Sequence, residues 1–196
     1  MKEKKITSTV WPFEVDKVAT YAWSKEVFTP EECEQIIDIS KAKGTFTGGL
    51  SNKSIINKKL RDSEVVFMNP HELTFAYQKL TNSINYINNT YFKFDIFGFA
   101  EGLQFTVYQK NQKYGRHFDR AYKTMTRKLS VSVQLSDPKK YKGGDLILYE
   151  GEDQITAKRD QGSITVFPSF IEHEVRPVKK GTRYSLVGWI TGKDFK

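Results

Sequence analysis

Residues 128–135 read KLSVSVQL, and this regular alternation of polar and apolar side chains predicts a β-strand with one buried face. Most of the second half of the chain has the same character, in short runs of β-branched and aromatic residues separated by glycine and proline turns. The other runs are LQFTVYQ (103–109), DLILYE (145–150), QITAK (154–158), SITVFP (163–168), HEVRPV (173–178) and RYSLVGWI (183–190). Short strands in this number and at this spacing predict an all-β sandwich, a jelly roll or a small barrel.

Two helices are predicted before these strands. Thr29-Pro30-Glu31-Glu32 combines an N-cap, a proline at the first helical position and the glutamate of a capping box, and Gly44 marks the end of this helix. Asn69-Pro70-His71-Glu72 predicts a second helix start of the same kind. An apolar stripe then runs from Leu73 to Ile87, and Asn88-Asn89 is expected to end the helix.

The predicted architecture is therefore a single α+β domain over residues 1–196. It consists of a helical support region at about 26–90 and a β core at about 98–191. Between the two helices, residues 44–63 (GTFTGGLSNKSIINKKLRDS) show no sustained period of either kind. A connection of this length is either a plain surface loop or a lid over a functional site.

The composition limits the class of protein. With 196 residues, of which 38% are hydrophobic, the chain can bury a substantial core. It contains no apolar stretch long enough to span a membrane, and its first residues lack the apolar segment of a secretory signal. A single cysteine, Cys33, excludes an internal disulfide. We therefore expect a soluble, cytoplasmic protein with no membrane partner.

The net charge of +8 comes from short, scattered groups of cations. These groups are Lys2–Lys5, Lys58–Arg61, Lys139–Lys140 and Lys179–Lys180. None is a long basic block, and none alternates with aromatic residues in the manner of a base-stacking platform. A nucleic-acid partner is therefore not expected, whereas the choice between monomer and dimer stays open.

The chemistry of the chain centres on two of its three histidines. His117-Phe118-Asp119 lies on an extended segment, where residues two apart point to the same face, so its imidazole and carboxylate converge. His173 lies at the start of another predicted strand. Two histidines and one carboxylate are the ligand set that holds non-haem Fe(II) and leaves coordination positions open, whereas a closed structural zinc site uses four protein ligands.

An arginine supports the metal-site interpretation. Arg183 follows His173 by ten residues, across a turn that could return it close to the metal, and its planar guanidinium suits a carboxylate. Ser185 is two residues further on and could add a hydroxyl on the same face. A buried arginine without an anionic partner is costly, so a dicarboxylate co-substrate is the natural occupant.

With these residues in view, the sequence resembles a known family. It is similar to the iron(II)- and 2-oxoglutarate-dependent dioxygenases, in the prolyl 4-hydroxylase-like branch, and most of all to the PKHD-type hydroxylases. The matching positions are Tyr108, Tyr114-Gly115-x-His117-x-Asp119, Leu135-Ser136-Asp137-Pro138, Tyr141-x-Gly143-Gly144-Asp145, Pro168-Ser169, His173-x-Val175, Gly181-x-Arg183-x-Ser185 and Trp189. The resemblance covers residues 100–191 well and the two preceding helices loosely.

The resemblance implies a double-stranded β-helix (jelly roll) with support helices on one sheet. It implies that His117, Asp119 and His173 bind Fe(II), and that Arg183 pairs with the distal carboxylate of 2-oxoglutarate. Those four residues form the implied catalytic set. Ser185 and Tyr108 are implied as further co-substrate contacts, and Trp189 and Arg127 as substrate contacts. One departure is Gln134, which stands where oxygen-sensing prolyl hydroxylases of animals have a tyrosine that helps to hold the co-substrate.

The implied reaction is the hydroxylation of an unactivated C–H bond, with Fe(II), 2-oxoglutarate and O2 as cofactors and ascorbate as an additional one. The first choice of substrate is a prolyl residue in a peptide or protein. One alternative keeps the chemistry and changes the substrate to a nucleobase or a free amino acid. Another is a metal-binding jelly roll without catalysis, which would not need Arg183 beside the metal.

Overall fold

A computed structural model describes residues 18–48, 57–120, 124 and 126–193. In chain order, its strands are β1 (Ala22–Ser24), β2 (Phe46–Thr47), β3 (Arg61–Asp62), β4 (Glu64–Met68), β5 (Ile96–Phe99), β6 (Leu103–Tyr108), β7 (Lys113–His117), β8 (Arg127–Gln134), β9 (Lys142–Gly143), β10 (Leu146–Glu150), β11 (Asp153–Thr156), β12 (Ile164–Pro168), β13 (His173–Val175), β14 (Val178–Lys180) and β15 (Arg183–Gly192). The helices are α1 (Pro30–Lys43) and α2 (Thr74–Ile87). Neither of these two helices has the length and apolar character needed to cross a membrane.

The strands form two main antiparallel sheets and one small one. The major sheet has the order β1-β12-β8-β15-β6-β4-β2, with β5 paired to β15. The minor sheet has the order β11-β10-β13-β7-β3, and β9 pairs with β14 in a separate two-stranded sheet. The two main sheets share a core in which Tyr108 and Phe167 of the major sheet meet Leu148 and Val175 of the minor sheet. The predicted jelly-roll fold is therefore confirmed.

The alternation that predicts the strands also divides the major sheet into two chemically different faces. On β8, Leu129, Val131 and Val133 are fully buried in the cluster that packs against both helices. Ser130 and Ser132, which point to the opposite face, are turned toward the minor sheet. The apolar face thus anchors the helices, while the polar face is available to line a site between the sheets.

Helix α1 begins and ends where the sequence predicts. The Thr29 hydroxyl accepts a hydrogen bond from the Glu32 N–H (3.2 Å), and the Glu32 carboxylate accepts one from the Thr29 N–H (2.8 Å). This reciprocal pair is the predicted capping box. Gly44 ends the helix with a positive φ of 86°.

Helix α2 differs from the prediction at both ends. Residues 69–73 form a turn instead of the first helical residues. The Asn69 carbonyl accepts from the Glu72 N–H at 3.0 Å, and the Glu72 carboxylate accepts from the Asn69 N–H at 2.6 Å and pairs with Lys43 at 2.7 Å. Helix α2 therefore begins at Thr74. At the other end, the helical backbone does not end at Asn88. The Asn88 side chain is hydrogen-bonded to both the N–H and the carbonyl of Phe94. A π-helical turn over Asn88–Phe92 follows instead.

Short strands join the sheets from a region in which two helices and a connecting segment without periodicity were predicted. Strands β2 and β4 extend the major sheet and β3 extends the minor sheet, although all three lie before residue 90. Two of them are only two residues long, so they show no alternation that a sequence pattern could reveal. The division of the chain into support region and core stays a prediction.

We expect Gly162→Ala to lower the free energy of unfolding by about 3 kcal/mol, since the φ of residue 162 is +79° and the new methyl group would overlap the Phe28 carbonyl oxygen. Gly151→Ala is the matched control, because residue 151 has a φ of +64° and open space around it. The control should cost only about 1 kcal/mol, for the left-handed backbone alone. Denaturant unfolding of both variants would test this, and equal losses would contradict the steric explanation.

Candidate active site

A cavity of 440 Å³ lies between the two main sheets. Its lining includes His117, Asp119, His173 and Arg183, so one cavity contains all four residues of the implied catalytic set. Phe46 and Phe118 line the same cavity and are about half exposed, which places them at its opening. The cavity thus combines charged and imidazole side chains inside with aromatic side chains at its mouth.

Strand pairing brings the two histidines and the aspartate together. β13 pairs with β7 so that His173 lies directly opposite His117, and Asp119 follows two residues after His117. Asp119 Oδ1 lies 3.7 Å from His117 Nε2, and Asp119 Oδ2 lies 3.4 Å from His173 Nε2. One nitrogen or oxygen atom from each of the three residues lies within 4.8 Å of the others. These atoms can therefore reach a single ion.

Backbone carbonyl groups fix the orientation of both imidazoles. His117 Nδ1 lies 2.8 Å from the Gly115 carbonyl oxygen, and His173 Nδ1 lies 2.9 Å from the Ile171 carbonyl oxygen. Because a carbonyl can only accept, each Nδ1 carries the hydrogen and donates it. Each Nε2 then keeps its lone pair, and both Nε2 atoms face Asp119. The two histidines are in the tautomer that metal ligation needs.

The Asp119 carboxylate is held by a pair of hydroxyl groups. The Ser130 hydroxyl donates to Asp119 Oδ2 at 2.7 Å, and the Ser169 hydroxyl lies 3.0 Å from the Ser130 oxygen. Since the Ser130 hydrogen is directed to the carboxylate, Ser169 is the donor in the second bond. Burial by itself would raise the pKa of Asp119, but the two imidazoles and Ser130 outweigh burial and hold this pKa below its ordinary value. Asp119 is therefore an anion in a buried position.

An aromatic stack supports His117 from one side. The Tyr114 ring lies parallel to the imidazole, with 3.6 Å between ring centroids, and the Arg61 guanidinium lies 4.7 Å above the Tyr114 ring. Burial and then the charge of His173 lower the pKa of His117 to about 4, so its imidazole is neutral at physiological pH. Burial also disfavours the charged form of Tyr114, which raises the pKa of its hydroxyl to about 12. Arg61 and Tyr114 both line the cavity, yet neither was assigned a role from the sequence.

Arg183 lies at the first position of β15, deep in the same cavity. Its side chain is almost fully buried, and its Nη1 donates to the Ser185 hydroxyl at 3.3 Å. Tyr108 lies opposite Arg183 in the pairing of β6 with β15, and the guanidinium lies 5.6 Å from the Tyr108 ring centroid. The structure thus brings together the three residues that the resemblance implied as co-substrate contacts.

Gln134 does not take the place of the missing tyrosine. Its side-chain amide donates to the Tyr141 hydroxyl at 2.9 Å and to the Ser136 carbonyl at 3.2 Å. Gln134 is therefore turned away from the cavity that contains the histidines. Ser132 lines that cavity from the same strand.

Trp189 and Arg127 form a second group, on the Asp119 side of the cavity. The Arg127 guanidinium stacks over the Trp189 ring at 4.2 Å, forms an ion pair with Glu101 and donates to the Asp119 carbonyl at 3.3 Å. The Trp189 indole N–H helps to lower the pKa of Asp119 without reaching the geometry of a hydrogen bond. Among the residues that the structure describes, it has no hydrogen-bond partner although it is buried. Glu101 was not identified from the sequence.

The residues missed by sequence analysis carry weak signals. Arg61 lies in a strand of two residues, and Glu101 lies in a turn between β5 and β6, so no period points to either. Tyr114 was quoted only as part of the resemblance. Of residues 44–63, interpreted from the sequence as either a surface loop or a lid, the central residues 49–56 lie outside the described part of the chain.

Comparison with known proteins finds a matching family model and PKHD-type relatives, in agreement with the resemblance seen in the sequence. Residues 103–191 match the family model described as the 2OG-Fe(II) oxygenase superfamily. A PKHD-type hydroxylase of Crocosphaera subtropica is 29% identical over 169 residues, which cover 84% of this chain and 75% of that protein. A PKHD-type hydroxylase of Prochlorococcus marinus is 40% identical over 92 residues, or 46% of this chain and 42% of that protein. The chain thus spans less than half the length of some of the relatives that it matches.

Solved structures show the same fold. A prolyl-4-hydroxylase from Pseudomonas putida has a TM-score of 0.72 at 17% identity, and the alignment covers 89% of this chain and 93% of that one. A prolyl hydroxylase from Trichoplax adhaerens, solved with a peptide fragment of a hypoxia-inducible factor, has a TM-score of 0.75 at 16% identity. That alignment covers 88% of this chain and 84% of the other. At these identities the likeness concerns the fold.

We expect the metal-free protein to lose stability as the pH falls from about 6.5 to 4. In the unfolded chain His117 takes up a proton near its ordinary pKa of 6.5, whereas in the folded protein its pKa is about 4, so lower pH favours the unfolded state. The loss should approach about 3 kcal/mol. Denaturant unfolding in the presence of a chelator measures it at each pH. His117→Gln should flatten the profile in this window, and an unchanged slope would contradict the assignment.

Proposed function

We propose that this chain is a 2-oxoglutarate- and Fe(II)-dependent dioxygenase of the 2OG-Fe(II) oxygenase superfamily, and that it hydroxylates a prolyl residue in a peptide or protein. The observation that carries the proposal is a single cavity in which His117, Asp119 and His173 face inward and Arg183 is buried among the lining residues. The positions of the other residues that line the cavity then suggest which of them contact the co-substrate and which contact the substrate.

The donor set fits Fe(II). Two imidazole Nε2 atoms and one carboxylate oxygen provide three ligands, the number that the 2-His-1-carboxylate site uses while leaving positions open. His117, Asp119 and His173 would hold the ion, while Gly115, Ile171 and Ser130 keep the ligands oriented. When bound, the iron supplies the coupling of 2-oxoglutarate decarboxylation to insertion of an oxygen atom from O2. Ascorbate belongs to the proposed cofactor set as well.

Arg183 is the proposed anchor for the distal carboxylate of 2-oxoglutarate. Its guanidinium is buried and already bonded to Ser185, so little side-chain freedom is lost when a carboxylate binds. Tyr108 lies beside it, and burial raises the pKa of Tyr108, which keeps its hydroxyl protonated as a donor. The remaining volume of the cavity lies toward Asp119 and Trp189.

Trp189, Arg127 and Glu101 are the proposed substrate contacts. Their cluster joins the metal site to the mouth of the cavity. The Trp189 indole N–H, which has no hydrogen-bond partner among the described residues, can donate to a peptide carbonyl. The prolyl hydroxylase neighbour solved with a peptide supports a peptide as the substrate. A nucleobase, a free amino acid and a metal site without catalysis are the alternatives that the experiment below separates. A cytoplasmic location stays a prediction.

We expect the protein with Fe(II), ascorbate, O2 and 2-oxoglutarate to form succinate at a basal rate, and a proline-containing peptide to raise that rate. Asp119→Ala should abolish turnover because it removes the only carboxylate of the ligand set, while the far-UV circular dichroism stays that of the wild type. The measurement is succinate formation together with peptide mass, which should rise by one oxygen. A basal turnover that no peptide raises would favour a nucleobase or a free amino acid as the substrate. No turnover with iron bound would favour the metal site without catalysis.

We expect Arg183→Ala to raise the KM for 2-oxoglutarate by roughly 100-fold, since it removes charge-assisted hydrogen bonds worth about 3 kcal/mol. Metal affinity, measured by Co(II) titration, should stay within about twofold. Arg176→Ala is the matched control, because Arg176 is an exposed arginine at the end of the neighbouring β13. An equal loss of metal and co-substrate binding in Arg183→Ala would contradict the anchor assignment.

A further inference from the structure

The small sheet formed by β9 and β14 gathers lysines that are far apart in the sequence. Two of the scattered basic groups, at 139–140 and 179–180, meet here and are joined by a lysine of β9 and by one in the turn after β6. All six side chains are exposed. We call them the lysine patch: Lys110, Lys139, Lys140, Lys142, Lys179 and Lys180.

Backbone contacts hold these lysines next to one another. Lys180 lies directly opposite Lys142 in the pairing of β14 with β9. The turn at Gly181 approaches the Lys140 carbonyl so closely that a side chain at residue 181 would overlap it. Lys110 is brought alongside by its neighbour Asn111, whose N–H donates to the Val178 carbonyl at 2.8 Å. The patch is therefore a fixed feature of the fold.

Little negative charge balances the patch. Within the described part of the chain, only Lys140 has an ion-pair partner, Glu34 at 3.2 Å, and both side chains are largely exposed, at 67% and 49%. The Asp137 carboxylate is engaged by the Lys139 backbone N–H at 2.9 Å. Like charges directly opposite each other on paired strands destabilise a sheet, so the Lys142–Lys180 pair does not serve the fold. The patch is suited to an external anion.

We propose that the lysine patch docks an acidic stretch of the polypeptide substrate, outside the residue that is hydroxylated. This inference rests on the proposed peptide substrate. The patch contains no arginine and none of the exposed large hydrophobic residues, so it lacks the stacking groups and planar forks that mark a nucleic-acid surface. Lysine ammonium groups on flexible stems accommodate carboxylates at varied spacing.

The position of the patch sets the minimum separation, in the substrate, between the acidic stretch and the residue that is hydroxylated. β14 leads through Gly181 into β15, which runs from Arg183 to Trp189 and beyond. Six residues of strand cover roughly 20 Å. An extended peptide that reaches from the Trp189 end of the cavity to the patch therefore needs at least about six residues. The acidic stretch lies at least that far from the target residue.

The test compares two triple variants with the same loss of charge. Lys142→Gln/Lys179→Gln/Lys180→Gln removes half of the patch. Lys25→Gln/Lys93→Gln/Lys193→Gln removes three exposed lysines on other parts of the surface. The probe is a fluorescein-labelled peptide of ten glutamates, and its anisotropy is measured at physiological ionic strength. The patch variant should bind about tenfold more weakly than the wild type and the control variant less than twofold, since three exposed ion pairs are lost.

Equal weakening in the two variants would overturn the patch as a docking surface, because it would show attraction by net charge alone. Tighter binding of a 15-base-pair DNA duplex than of the glutamate peptide would overturn the assignment to acidic polypeptide. Neither result depends on turnover, so both are separate from a failure of the proposed function. For a peptide that is hydroxylated, an added glutamate run should lower KM in the wild type and not in the patch variant.

Discussion

The pairing of β13 with β7 is the constraint on which the rest of the site depends. Because His173 lies directly opposite His117 in this pair, two residues more than fifty positions apart present their imidazoles to one point, and the extended chain adds Asp119 to the same point. The backbone N–H of Arg120 donates to the Ser169 carbonyl, which ties the segment after Asp119 to the segment before His173. A shift of one residue in this register would turn one imidazole to the other face of the minor sheet.

The major sheet supplies everything else that the metal site needs. Its apolar face anchors α1 and α2, while its polar face offers Ser130 to Asp119. Arg183, Tyr108 and Trp189, the proposed co-substrate and substrate contacts, line the cavity from the same sheet. One strand, β15, carries two of these groups on a rigid element. Precise placement is therefore obtained from strands.

The sequence predicts what strong local patterns specify. Alternation reveals the long strands, the capping box reveals α1, and the His-x-Asp spacing with His173 and Arg183 reveals the candidate ligand set. It does not reveal Arg61 or Glu101, whose positions depend on two-residue pairings and turns that carry no period. Helix α2 begins late because the predicted cap segment closes a separate turn, in which the Asn69 and Glu72 backbones are hydrogen-bonded and the Glu72 carboxylate accepts from the Asn69 N–H. The lysine patch also escapes sequence reasoning, since its members become neighbours only through tertiary pairing.

The bonds from each histidine Nδ1 to a carbonyl two residues earlier have a consequence for how the protein acquires its ion. Both bonds are local to the chain segment that carries the histidine, so they need no metal to form. The chain itself therefore orients both imidazoles, unlike sites in which the ligands are ordered only when the metal binds. Since Fe(II) stands low in the order of divalent affinities, a nitrogen and oxygen donor set of this kind would not select Fe(II) over Ni(II), Cu(II) or Zn(II) by affinity alone.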